Sequence, residues 1–392
     1  MNKINNITIA ATLATLIGAG CAGKYASQTA SPTNTQSGHS TSTKTAPTPS
    51  LKNTFKDDFL IGTALNNFQV NAQDGKLADL IPAQFNAITA ENAMKAQHLQ
   101  PRWGEFRFEA ADKLIDYAQQ HQMKVNGHTL VWHSQMPSFA RRIRNADSLR
   151  QFFTSHIATV AGHYKGKVYS WDVVNEALNE DGSLRKSPFL NLLGEQYLEE
   201  AFKLAQQADP GAELYYNDYN IEQPKKRAGA IALIKKLQAS GARIDGVGIQ
   251  GHWRINNLPL AEIEKSILAY HALGLKVMFT ELDISVLPNP WDANTADVSN
   301  TSTTKKEGMN PYTAGLPDSV HTQLSQAYEQ LFQLFLKHRD KITRITFWGV
   351  GDGQSWLNNF PIGGRTNYPL LFDRQNDPKP AFYAVIGAKN KL

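Results

Sequence analysis

The chain has 392 residues, 41% of them hydrophobic and 10% aromatic, enough for one large folded body or two small ones. Its 40 Lys and Arg stand against 35 Asp and Glu, a formal charge of +5, with the two signs interspersed. No basic run interleaved with aromatics offers a track for nucleic-acid phosphates, and a single cysteine excludes an internal disulfide.

The chain opens with Lys3 and an apolar stretch over 7–20. That length suits a signal peptide better than a membrane-spanning helix. Small residues Gly18, Ala19 and Gly20 then lead into Cys21, the only cysteine. This arrangement resembles a bacterial lipoprotein signal, although Gly18 stands where a leucine is usual. It implies cleavage after residue 20, acylation of Cys21 and export to the outer membrane; ordinary secretion is the alternative. Half of residues 25–50 are Ser or Thr, with prolines at 32, 47 and 49. Such a stretch buries too little apolar surface to offset its ordering entropy, so 21–53 reads as a tether. The folded domain is expected over 54–390.

Past residue 55, short apolar runs alternate with longer amphipathic ones. Predicted strands fall at 59–64, 87–91, 124–131, 168–175, 213–217, 246–251, 277–281 and 345–348. Predicted helices fall at 110–121, 149–164, 195–208, 224–240, 260–273 and 319–338, with apolar residues at three- and four-residue spacing. Pro224 suits a first helical turn, where its missing N–H costs nothing. Eight strands with helical crossovers indicate an α/β fold, a (β/α)8 TIM barrel. Residues 288–317 lack apolar periodicity and read as a long loop insertion, assigned no catalytic duty.

Polar residues gather at the predicted strand ends: Glu91 and Asn92, His128, Asn175 and Glu176, Asn217 and Asp218, Gln250 and His252, Glu281, and Trp348. Helix capping explains one or two of these, not a polar group at nearly every strand end. In a barrel those ends converge on one face. Glu176 and Glu281 each close an apolar run, and a pair of carboxylates is the minimum machinery for cleaving a glycosidic bond. His128 and His133, five apart on a strand, point to opposite faces and suit no shared zinc ion. No metal or cofactor is called for, and no protein partner is implied.

Eight motifs occur in order: TAENAMK (89–95), GHTLVWH (127–133), WDVVNEA (171–177), YYNDYN (215–220), DGVGIQGH (245–252), TELDIS (280–285), TFWGV (346–350) and YPLLFD (368–373). Together they resemble glycoside hydrolase family 10, the endo-β-1,4-xylanases, across the whole predicted folded body. The resemblance implies a retaining mechanism on xylan and xylo-oligosaccharides, with Glu176 as acid/base and Glu281 as nucleophile. It implies that Asn175 bonds the 2-hydroxyl of the sugar being cleaved and that Glu91, Asn92 and Lys95 hold the next sugar on the non-reducing side. His128 and Trp132 correspond to the wall of the cleft, Gln250 and His252 to residues that touch the nucleophile or its sugar, and Trp348 and Trp356 to the aromatic floor and roof. Tyr219 is assigned to the same cluster, and Asp283 is expected to support it from behind. Ala96 stands where the family commonly has tryptophan, and Gly351 and Asp352 where threonine and aspartate are usual. A β-1,4-glucanase on the same barrel, or a non-catalytic xylan-binding protein, remain the alternatives.

Overall fold

The computed structural model describes residues 48–391 apart from 73–74, 291–295 and 303–306. The expected signal peptide, Cys21 and most of the tether lie outside the described residues. Among the described residues, eight parallel strands form a closed barrel: β1 (Leu60–Leu65), β2 (Ala87–Ala90), β3 (Lys124–Trp132), β4 (Ser170–Asn175), β5 (Glu213–Asp218), β6 (Gly246–Ile249), β8 (Lys276–Ser285) and β9 (Ile342–Phe347). Each pairs with its barrel neighbour, and β9 returns to β1 with Ile61 opposite Ile345. A three-residue strand, β7 (His252–Arg254), adds to the upper part of β8 and sets His252 opposite Asp283.

The helices are those the periodicity indicates, with no end moved by more than three residues: Glu109–Gln120, Ala146–His163, Gln196–Ala208, Pro224–Ala239, Leu260–His271 and Asp318–Lys337. Pro224 does occupy a first turn. Besides three single-turn helices (Leu51–Thr54, Asn67–Val70 and Ala96–Leu99), the described residues hold three longer ones that the sequence pattern does not show: Gly75–Gln84, Pro188–Leu193 and Pro380–Ala388. The first carries Pro82 near its end, which breaks the helical signal, and the other two are short with proline in their first turn. Between strands and helices lies a core rich in aromatics, with Trp171, Phe202, Tyr270 and Phe335 fully buried.

Described structure is present ahead of residue 54. Leu51–Thr54 is a short helix whose Leu51 is buried, because this segment is fastened to the last turn of Gly75–Gln84. Gln84 Oε1 accepts from the Leu51 amide at 2.9 Å, and Ser50 Oγ donates to the Ala83 carbonyl at 2.6 Å. That turn lies at the N-terminal mouth of the barrel, opposite the polar strand ends.

Candidate active site

A continuous backbone ladder sets the two glutamates. The Glu176 amide donates to the Asn217 carbonyl at 2.9 Å, the Gln250 amide to Asp218 at 3.1 Å, and the Glu281 amide to Gln250 at 2.8 Å. Adjacent strands β4, β5, β6 and β8 therefore raise their polar ends to one level. Glu176 sits just past β4 with φ of +56°, a left-handed conformation that costs a residue with a side chain roughly 1–2 kcal/mol. The amide bond to Asn217 and a 3.1 Å bond from Arg185 Nε to the Glu176 carbonyl hold it there.

Side chains repeat the connection. Asn217 Nδ2 donates to Glu281 Oε1 and to Asn175 Oδ1, each at 2.9 Å. Gln250 Nε2 donates to Glu176 Oε1 at 3.0 Å, and Trp132 Nε1 to Glu176 Oε2 at 2.8 Å. Asn175 lies between these two amides, and its own Nδ2 donates to Glu176 Oε1 at 3.2 Å. Asn217 fits because Gly248 has no Cβ; one built there would stand 2.4 Å from Asn217 Oδ1. On the other flank of Glu281, His252 Nε2 lies 3.3 Å from Oε2 while its Nδ1 lies 3.0 Å from Asp283 Oδ1. Asp283 Oδ2 also accepts from Trp356 Nε1 at 2.8 Å, so the expected supporting residue holds both a histidine and a tryptophan.

These surroundings drive the carboxyls apart in acidity. Burial raises the pKa of Glu176; bonds from Gln250 and Trp132 offset part of this, and the charge of Glu281 adds to it. Burial also opposes ionisation of Glu281, but His252, His128 and the Asn217 amide outweigh it and leave its pKa below the ordinary value. His252 itself is penalised by burial, yet Asp283 and Glu281 lift its pKa to about 10. The imidazolium is therefore a fixed cation beside one glutamate only.

Glu91, Asn92, Lys95, His128, Trp132, Glu176, Gln250, His252, Glu281, Trp348 and Trp356 all line one cleft. Lys95 Nζ bonds Asn92 Oδ1 at 3.2 Å and lies 5.1 Å from the centre of the Trp132 ring. Burial depresses its pKa, while Glu281, Glu91 and Glu176 act the other way. His128 Nδ1 meets Asp172 Oδ2 at 3.0 Å, and the same oxygen accepts from Asn126 Nδ2 at 2.9 Å, so a polar chain inside the barrel fixes that ring. Trp348 packs edge-on to His128 with centroids 5.5 Å apart, and Trp356 stacks on Phe360 at 4.6 Å.

Asn175 and Tyr219 are not among the lining residues; Asn175 is buried directly behind the two glutamates, and Tyr219 lies farther off. Its ring is buried under Lys226 Nζ, 3.6 Å from the centroid, and its hydroxyl accepts from Arg185 Nη2 at 2.8 Å. Several residues at the site escaped sequence reasoning. Asn217 was noted at a strand end but given no duty, Gln135 lines the cleft, and Arg185 holds the Glu176 turn. Ala296 and Val298, which also line it, belong to the 288–317 segment that was assigned no catalytic duty.

A family profile described as glycosyl hydrolase family 10 matches residues 50–388. The chain belongs to that family. It is 42% identical over 343 residues to endo-1,4-β-xylanase A of Xylanibacter ruminicola, covering 86% of this chain and 93% of that one. It is 41% identical over 345 residues to an endo-1,4-β-xylanase of Geobacillus stearothermophilus, covering 86% and 98%. Among solved structures, a GH10 endoxylanase retrieved from a sugarcane soil metagenome superposes with a TM-score of 0.82 at 45% identity, covering 86% of this chain and 99% of that one. Two departures from the family-10 motifs, Ala96 and Gly351, fall outside the cleft lining. Ala96 opens the short helix Ala96–Leu99, and Gly351 bridges to Phe372, beside the Asp352 that the family shares, which accepts from Lys379 Nζ at 2.8 Å and from the Leu370 amide at 2.9 Å.

Proposed function

We infer that the protein is an endo-β-1,4-xylanase that cleaves internal xylosidic bonds with retention of configuration. The observation that carries this reading is the unequal environment of two buried carboxyls in one groove. Glu281, held ionised by His252 and Asn217, attacks the anomeric carbon. Glu176, held protonated by burial and by the charge of Glu281, gives its proton to the departing glycosidic oxygen. The carbon–oxygen bond to the leaving sugar breaks as the bond to Glu281 forms. In the covalent intermediate Glu281 carries no charge, so one of the influences raising the pKa of Glu176 is gone. Glu176 then takes a proton from the incoming water, whose oxygen displaces Glu281. The retaining course calls for carboxyls about 5–5.5 Å apart, close enough for direct attack.

Asn175, placed between Asn217 and Gln250, is assigned the 2-hydroxyl of the sugar under attack. Glu91, Asn92 and Lys95 are assigned its non-reducing neighbour, with Trp348 and Trp356 closing on apolar sugar faces. Trp356, fixed by Asp283 and Phe360, is proposed to exclude the hydroxymethyl group that glucose carries and xylose lacks. Reducing-end release from linear xylan, with NMR of the first-formed anomer, tests the assignment. A first product of inverted configuration would refute it.

The N-terminal reading is also a proposal: a signal over 1–20, an acylated Cys21 holding an exported enzyme to the outer membrane, and a tether leading to the barrel. Support comes from the apolar run and the small residues before the lone cysteine. Two or more acyl chains, at about 0.8 kcal/mol per buried CH₂, give a stable anchor. Intact mass of the mature protein decides; a mass equal to the bare polypeptide removes the anchor.

A further inference from the structure

We propose that the segment after β8 is a working wall of the cleft, clamped beside Glu176 by the Arg185–Asp297 pair, and that it governs how the departing sugar is held. The proposal rests on the acid/base assignment of Glu176.

Arg185 joins three elements through one planar guanidinium. Its Nε holds the Glu176 carbonyl at 3.1 Å, its Nη2 the Tyr219 hydroxyl at 2.8 Å and the Leu178 carbonyl at 3.3 Å, and its Nη1 Asp297 Oδ2 at 2.6 Å. The side chains are only 14% and 12% exposed, so water screens this pair less than one on an open surface. Asp297 is fixed from its own side as well. Its Oδ1 accepts from the Ser299 amide at 3.0 Å and from Ser299 Oγ at 2.6 Å. Burial works against its charge, and Ser299 with Arg185 more than offsets this, holding it below the ordinary carboxylate range. A fork that reaches a carboxylate, a phenol and two carbonyls at once is suited to positioning, and lysine would not reproduce it.

The clamp brings cleft-lining residues with it. Ala296 and Val298, on either side of Asp297, line the same groove as Glu176 and Glu281. Further along, the described parts of the segment are tied to the loop after β9. Arg365 Nη1 donates to the Pro288 carbonyl, the Thr366 amide to Asn310 Oδ1, and the Tyr368 hydroxyl to the Tyr312 carbonyl, each at 2.9 Å. Glu91, Asn92 and Lys95 come from β2 and the turn beyond it, whereas Arg185 and Tyr219 follow β4 and β5. Glu176 delivers its proton to the oxygen that departs. The wall fastened beside it therefore faces the leaving sugar, and it offers small apolar side chains to that sugar's C–H face.

The clamp also touches Glu176 electrostatically. The ionisable groups around that carboxyl are Lys95 beyond β2, Arg185 beyond β4, Asp218 and Tyr219 at the end of β5, and Glu281 on β8. Arg185 lowers the Glu176 pKa, and Asp297 is the anion against it. Asp297→Asn leaves the cation unopposed, so the alkaline limb of the rate, set by loss of the Glu176 proton, moves to lower pH. Arg185→Met removes the cation and moves that limb to higher pH.

The experiment compares Asp297→Asn, Asp297→Ala and Arg185→Met with wild type on xylohexaose and on an aryl β-xylobioside, at matched melting temperature. We expect kcat/KM for xylohexaose to fall about tenfold more than for the aryl glycoside in the Asp297 variants. The alkaline limbs of Asp297→Asn and Arg185→Met are expected to move in opposite directions. Equal losses on both substrates would overturn the proposal. So would alkaline limbs that move together or stay fixed, since a merely structural contact has no sign. Glu176→Ala serves as the reference; full activity there on both substrates would instead overturn the acid/base assignment beneath the proposal.

Discussion

The ends of β4 and β8 hold the same chemical group at nearly the same depth, Glu176 at 4% exposure and Glu281 at 5%, and give it opposite character. Around Glu176 the direct partners are neutral donors, the Gln250 and Asn175 amides and the Trp132 indole. Around Glu281 the Asn217 amide is joined by an imidazolium that Asp283 keeps charged. Depth alone therefore does not decide whether a buried carboxyl carries its proton. The sign of its neighbours does, and here a three-residue strand, β7, delivers the deciding neighbour to one glutamate only.

The harshest way to break this contrast is to delete each carboxyl in turn. Glu281→Ala is expected to abolish turnover of every substrate. Glu176→Ala should lower xylan hydrolysis by about 10²–10⁴-fold while sparing an aryl xylobioside whose leaving group needs no proton. Equal losses from both, measured on both substrates, would erase the distinction. Next comes His252→Gln. Without the cation the Glu281 pKa rises, and Glu281 must be ionised to attack. The acid limb of the kcat/KM profile should therefore move to higher pH, with activity lost sooner on acidification. Trp132→Phe acts on the other carboxyl: losing a bond that favours the ionised form raises the Glu176 pKa and extends the alkaline limb upward. An unmoved limb in either variant would detach that neighbour from the pKa assigned to it. Trp356→Ala should shift the ratio of aryl xylobioside to aryl cellobioside turnover toward the glucoside, and a fixed ratio would show that Trp356 is not the gate. The mildest test is Gly248→Ala, whose Cβ would crowd Asn217 and the Thr280 methyl. Overpacking of this kind costs about 1–3 kcal/mol, readable by denaturant unfolding.

Much of this architecture was legible in the chain. Strand runs closing in Glu, Asn, Gln or His exposed both the barrel and its working mouth, because a buried strand ends in a polar group at little cost only where that end reaches a wet, shared face. What escaped depended on contacts between distant residues. Asn217 looks like its neighbour Asp218 in sequence, yet only one of them turns an amide toward Glu281, 64 residues away. Tyr219 sits in a motif with Asn217 but faces Lys226 and Arg185. The stretch after β8 lacks periodicity because turns and single hydrogen bonds hold its described residues, and such bonds leave no pattern in composition. The helix Gly75–Gln84 was hidden by Pro82, which lies inside it and has no N–H to give to the carbonyl four residues earlier.

Thr48 lies near the closing turn of Gly75–Gln84, at the mouth of the barrel away from Glu176 and Glu281. A fusion partner or a solid support joined ahead of that residue would leave the groove facing outward. The described C-terminal end is held at the same mouth, where Lys389 pairs with Asp58 just ahead of β1, so preparations immobilised through either end are expected to give polymer equal access to the groove.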